Sequence, residues 1–167
     1  MPRQEVIRKA RQDKRAGKSA STQAGEFVKD QIDKIRKGKR GARSTKQAIA
    51  IGLSEARRAG VDLPPPRKGR VKKATRRSAE YAYEVGQRKR TPKRQPRVSR
   101  AVEKVLKKEP RSTASRSALS KQGKRAASQR SAASRSATAR KASRTKGAKA
   151  RSTAAKKAAR TRARRRS

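Results

Sequence analysis

Lys37, Lys39, Arg40 and Arg43 crowd around Gly38 and Gly41, and ammonium and guanidinium groups at that spacing offer one chemistry, the binding of anions. The cluster sits just before a stretch that reads as a helix from Ser44, where free backbone N–H groups and the positive dipole end favour a phosphate. Lys46 lies in the first turn of that helix, and Arg57 and Arg58 lie in its last. A second group follows Pro92 in "TPKR". There the proline sets a turn from which Lys93 and Arg94 project, suited to a phosphate backbone or a narrow minor groove. The steepest charge is in "KKAARTRARRR", which brings together Lys156, Lys157, Arg160, Arg162, Arg164, Arg165 and Arg166. The planar donor fork of arginine matches phosphate oxygens.

Bond-making chemistry is poorly served. The chain has no histidine and no cysteine, and its 11 carboxylates are scattered among cations that hold them as ion pairs. Neither a general base nor an activated nucleophile stands out, and the usual zinc ligands are missing. "GKS" at 17–19 echoes the end of a phosphate-binding P-loop, but the first glycine of that motif would fall at Gln12 and no strand precedes it. The expectation is a protein that is not an enzyme, with no cofactor, no metal and no small-molecule substrate.

Charge selects the class of partner. Lys and Arg number 54 against 11 Asp and Glu, a formal net charge of +43 over 167 residues. Duplex DNA carries about one charge per 1.7 Å of axis, so this excess would match roughly 20 base pairs. Only three aromatic residues occur, Phe27, Tyr81 and Tyr83, which disfavours single-strand binding by base stacking. Leu, Ile, Val and Phe together supply 18 residues, too few for a core of ordinary size. No apolar run suits a signal peptide or a membrane span, so a cytoplasmic location is expected and a membrane partner is not.

Half of those 18 residues fall between 21 and 63, and that is where a fold is expected. On a helix, "STQAGEFVKDQIDKIRKG" gathers Ala24, Phe27, Val28, Ile32 and Ile35 into one arc and leaves Asp30 outside it. Ser21 or Thr22 is placed to cap the start, and Gly38 follows the end. "STKQAIAIGLSEARRAG" reads as a second helix: Ser44 and Gln47 have capping-box spacing, and Gly60 is a C′ glycine with Val61 beside it. Its arc holds Ala48, Ile49, Gly52, Leu53, Ala56 and Ala59, with Ile49 and Leu53 facing Phe27, Val28 and Ile32. The small row Ala48, Gly52, Ala56 predicts close approach to the first helix. Residues 3–16 offer a third helix through Val6, Ile7 and Ala10, with Ile51 as its candidate contact.

"PPP" at 64–66 ends this unit. Beyond it, 74–87 and 99–109 read as short helices, unstable alone. From residue 110 the chain is a low-complexity Ser/Ala/Lys/Arg tail with 20 cations and no acid. "RSTASRSA" returns as "RSAASRSA" without a fixed helical phase, so the repetition is compositional.

The stretch "STQAGEFVKDQIDKIRKGKRGARSTKQAIAIGLSEARRAGVDLPPP" resembles the N-terminal domain of a family of small, basic, uncharacterised proteobacterial proteins, with likeness over residues 11–66. The tail, "ALSKQGKRAASQRSAASRSATARKASRTKG", is similar to tails in that group and, in composition, to bacterial linker-histone-like proteins. The resemblance implies a nucleoid-associated protein that condenses DNA without strong sequence preference.

The expected fold is all-α: a small helical hairpin, with a third helix available, carrying a long, largely disordered basic tail. Five segments follow: a basic arm at 1–20 with helical potential, the hairpin at 21–63, a Pro-containing basic linker at 64–98, a short helix at 99–109, and a disordered tail at 110–167. The expected activity is binding and compaction or bridging of double-stranded DNA through phosphates, with the hairpin open to self-association. The alternative is an RNA- or ribosome-associated protein with the hairpin as a protein-interaction module.

Overall fold

Apolar spacing and end signals in this chain translate into helices. The computed structural model describes residues 3–93 and 95–164. Among them are seven α-helices: α1 Gln4–Arg15, α2 Ala20–Arg36, α3 Thr45–Arg58, α4 Lys73–Gly86, α5 Pro96–Lys107, α6 Arg116–Ser128 and α7 Ala132–Ala163. A 3-10 turn, Arg111–Ala114, precedes α6. The all-α expectation holds. The chain divides into two compact units, Met1–Gln122 and Gly123–Ser167.

In the first unit, α1 to α4 end alike. The end of α3 shows how: Gly60 N–H donates to the Arg57 carbonyl and Val61 N–H to the Ala56 carbonyl, with Gly60 at φ +88°. This is a Schellman end, and Val61 joins Ala56 in one apolar cluster, as such ends favour. The same bond pattern closes α1 at Gly17, α2 at Gly38 and α4 at Arg88, which takes φ +59° without being glycine. The start of α3 is also as expected, with the Ser44 hydroxyl accepting from Gln47 N–H at 3.2 Å. The Gln47 side chain, however, reaches back to Arg43 N–H at 2.8 Å instead of to Ser44. The N-cap of α2 is Ser19 and not the expected Ser21 or Thr22, whose hydroxyls each lie 3.0 Å from its own.

The core is built around α2, which is wrapped on several sides. Its first half, with Ala24 and Phe27, packs on Val6 and Ala10 of α1 and on Ala56 and Val61. Its second half, with Ile32 and Ile35, packs on Ala42, Ala48 and Ala114, and Val28 and Leu119 lean on the same cluster. Early α2 meeting late α3, and late α2 meeting early α3, makes the pair antiparallel. Gly52 sits at their crossing: a β-carbon there would stand 2.7 Å from the Val28 Cα. The small-residue row therefore does what its spacing predicts. Ile49 does not: it is half-buried and belongs to neither apolar cluster. α4 persists because it lies on α3, burying Ala79 and Ala82, with Gly86 against the Arg57 carbonyl.

Two expectations about the fold are corrected. The hairpin is the centre of a larger unit that takes in α1, α4 and the 3-10 turn, and is not a two- or three-helix fold standing alone. The tail is not a long disordered segment, since residues 111–163 are mostly helical. Its first part docks on the hairpin: Thr45 Oγ1 donates to the Thr113 carbonyl at 2.7 Å, and Arg36 Nε donates to the Ala114 carbonyl at 2.9 Å. The rest is helical because alanine, arginine and lysine are among the best helix formers. In addition, Ser131 caps α7 by accepting from Ser134 N–H at 3.2 Å. α7 breaks at Gly147 (φ 65°, ψ 166°) into two helical segments.

Candidate nucleic-acid interface

The loop between α2 and α3 reads in sequence as one cationic cluster, and the structure separates its members. Lys37 and Lys39 are exposed, as is Lys46 in the first turn of α3. Arg40 turns inward and pairs with Glu55 at 2.9 Å, a carboxylate that is itself buried. Arg43 is exposed and lies 3.4 Å from Glu109. The start of α3 spends donors on its own cap, since Arg43 N–H binds the Gln47 side chain and Gln47 N–H binds Ser44. Arg111 is a cation that sequence spacing does not place here. Its guanidinium covers Gly38, where a β-carbon would stand 2.5 Å from Nη2. Lys37, Lys39, Lys46 and Arg111 are thus exposed cations at this end of the unit that make no ion pair among the described residues, whereas Arg43 is exposed but paired.

Arg57 and Arg58 are adjacent in sequence and opposite in role. Arg57 is buried: its Nε donates to the Leu63 carbonyl at 3.0 Å and Nη2 to the Pro64 carbonyl at 3.4 Å. Burial holds its guanidinium pKa below the ordinary arginine value. It pins the segment leaving α3 and is not presented to a partner. Arg58 is exposed and makes no ion pair among the described residues.

Lys93 is exposed, and its backbone N–H donates to the Tyr81 hydroxyl at 2.9 Å, tying the turn before it to α4. The Arg90 guanidinium lies 4.9 Å from the centre of the Tyr81 ring and 3.1 Å from Glu84. Arg94 lies outside the described residues.

In the second unit, Lys156, Lys157, Arg160, Arg162 and Arg164 are exposed on the last helical segment and just beyond it. At 100° per residue, Lys156, Lys157, Arg160 and Arg164 fall within about 100° of one another, and Arg162 lies away from them. The helix carries no carboxylate. Arg165 and Arg166 lie outside the described residues.

Carboxylates in the first unit are heavily committed. Glu5, Asp13, Asp33, Glu80 and Glu84 each pair with a neighbouring cation on or near their own helix. Asp30, expected outside the apolar arc of α2, is buried between Arg3, just ahead of α1, at 2.9 Å, and Lys34. Asp62 accepts from the Tyr83 hydroxyl at 2.6 Å. What remains exposed on this molecule is therefore predominantly cationic, an arrangement able to bind polyanions through many separate phosphate contacts.

Among the described residues no helix is long and apolar enough to cross a membrane. No curated protein and no solved structure matches the chain. Residues 11–68, which span α2, α3 and the close of α1, match the model of DUF6496, a family of unknown function.

Proposed function

We propose that this protein binds double-stranded DNA through its phosphates, without base-specific readout. The observation that carries the reading is the partition of charge. All 11 carboxylates precede residue 110, while the following residues hold 20 cations and no acid, carried largely on helices whose described residues are mostly exposed. Such a surface gains affinity by releasing condensed counterions from the duplex. Lys156, Lys157, Arg160 and Arg164 are the principal contacts in the second unit, and Lys37, Lys39, Lys46, Arg58 and Arg111 serve the first. Two cationic units on one chain suit bridging or compaction of DNA, in keeping with a nucleoid-associated, linker-histone-like role in the cytoplasm. Arg40 and Arg57 drop out of the contact set because each is committed within the fold.

Binding to a duplex of about 20 base pairs across a salt series tests the proposal. A steep fall of log K with log salt, equivalent to six or more phosphates, is expected at about 0.9 per phosphate. A slope equivalent to one or two phosphates would remove it. Parallel titrations with structured RNA distinguish the alternative: tighter binding to RNA at equal salt would transfer the reading to an RNA-associated protein.

A further inference from the structure

α5 stands apart from the rest of the first unit. Its apolar side chains Val98, Val102 and Val105, spaced i, i+4, i+7, are about half exposed, and only Leu106 is partly covered. The helix meets the body through its end, where the Leu106 carbonyl lies so close to Gly41 that a β-carbon there would stand 1.7 Å away. On either side of this valine ridge is a cleft. One, of about 370 Å³, is bounded by Arg43, Gln47, Ala101, Val102, Val105 and Leu106. The other, of about 390 Å³, runs between Val98, Val102 and Leu106 on one wall and Ile51, Arg40 and Arg58 on the other. Gln31 also lines it, fully buried and with neither its amide nitrogen nor its amide oxygen hydrogen-bonded.

We infer that this ridge and its two clefts form the docking surface for an acidic amphipathic helix of a partner protein. A ridge of side chains at i, i+4, i+7 with a groove on each side is what one helix presents to another. The occupant must bring apolar surface to cover three half-exposed valines, which a nucleic-acid backbone cannot do. It must also tolerate a cationic rim. Arg58 has no ion pair among the described residues, while Arg40 and Arg43 pair with Glu55 and Glu109, and Glu103 is the remaining acid at the clefts. A second copy of this chain meets that rim with Arg97, Arg100, Lys104 and Lys107 of its own α5, so like charges oppose self-pairing. Carboxylates on the flank of a partner helix facing Arg58 satisfy it, and a polar side chain entering the second cleft meets the amide of Gln31. The inference is independent of DNA binding, since it rests on apolar surface and not on the exposed cations of α7.

The test uses the full chain and a labelled synthetic helix of about sixteen residues, with leucine at i, i+4, i+7 and i+11 and glutamate on both flanks. Its control has the same composition with the leucines dispersed around the helix. At about 0.5 M salt, where exposed charges are screened within a few ångströms, the patterned peptide should bind at least about tenfold tighter than the control. Val102→Ser and Val105→Ser, both at half-exposed positions that leave the core intact, should each bring its affinity close to that of the control. At about 0.1 M salt, where screening is weaker, Arg58→Gln should weaken it several-fold. Equal binding of the two peptides, or patterned binding unaffected by either valine substitution, overturns the inference. So does a concentration-dependent dimer that Val102→Ser abolishes, because a second copy would then be the occupant.

Discussion

Gly52 and Val28 touch backbone to backbone: a β-carbon on residue 52 would lie 2.7 Å from the Val28 Cα and 3.0 Å from its nitrogen. Alanine would gain up to about 1 kcal/mol of helix propensity. It would also force apart the two helices that organise both halves of the core, and overpacking of that kind costs about 1–3 kcal/mol. Gly52→Ala should therefore lower the stability of the first unit by up to about 2 kcal/mol in a denaturant titration. An increase in stability would mean that the crossing is looser than this contact requires.

Arg57 predicts a separation of stability from binding. Arg57→Ala removes a buried guanidinium bonded to two carbonyls and should cost about 2–3 kcal/mol of stability. Duplex affinity, measured below the melting transition, should stay within about twofold of the parent. Arg58→Ala should do the reverse, leaving the melting temperature nearly unchanged. Comparable binding losses for both would contradict the inward role of Arg57.

Arg88 occupies the C′ position that glycine holds in α1, α2 and α3, at φ +59°. An L-residue in that region carries a cost of roughly 1–2 kcal/mol, partly offset in glycine by its greater freedom in the unfolded chain. Arg88→Gly should raise stability by a few tenths to about 1 kcal/mol. A loss would show that the arginine side chain contributes more than its backbone strain.

Tyr83 gives a pH signature. Its hydrogen bond to Asp62 favours the neutral phenol, so its pKa is raised above the ordinary tyrosine value of 10.0. A raised folded pKa stabilises the native state fully below the unfolded value, and that stability is lost as pH rises through the folded one. In a Tyr81→Phe background, phenolate absorbance should report Tyr83 ionising above pH 10, and Asp62→Ala should bring that transition down. No response to Asp62→Ala would exclude the contact in solution.

The residues that open the basic C-terminal stretch should matter to the fold. Ala114 and Leu119 pack with Ile32, Ile35, Ala42 and Ala48, and Thr45 and Arg36 bind the carbonyls of Thr113 and Ala114. A chain ending at residue 122 should melt as the intact first unit does. One ending at 109 should melt several degrees lower. Identical transitions would show that this docking adds nothing.

These residues also mark how far the sequence is legible. The close of α2, the ends of α3 and the Gly52 approach can be read because they depend on local spacing: a glycine after the last turn, a serine three before a glutamine, small residues at i, i+4, i+8. Asp30 projects onto a solvated face because a helical projection assumes one buried side, whereas α2 is packed by α1, α3 and the 3-10 turn together. Arg57 escapes sequence reasoning for a related reason, since its carbonyl partners at 63 and 64 follow from the path of the chain after α3. Arg111 reaches the α2–α3 loop only through tertiary packing. The tail lacks an apolar face, which argues for disorder, but its alanine, lysine and arginine content favours helix without one.

Salt dependence of duplex binding, compared between the parent and a variant carrying Lys156→Gln, Lys157→Gln, Arg160→Gln and Arg164→Gln, tests the central claim most directly. If these four side chains neutralise phosphates, the slope of log K against log salt should become shallower by about 3–4, near 0.9 for each phosphate no longer neutralised. An unchanged slope would contradict the assignment of α7 as a DNA-binding helix.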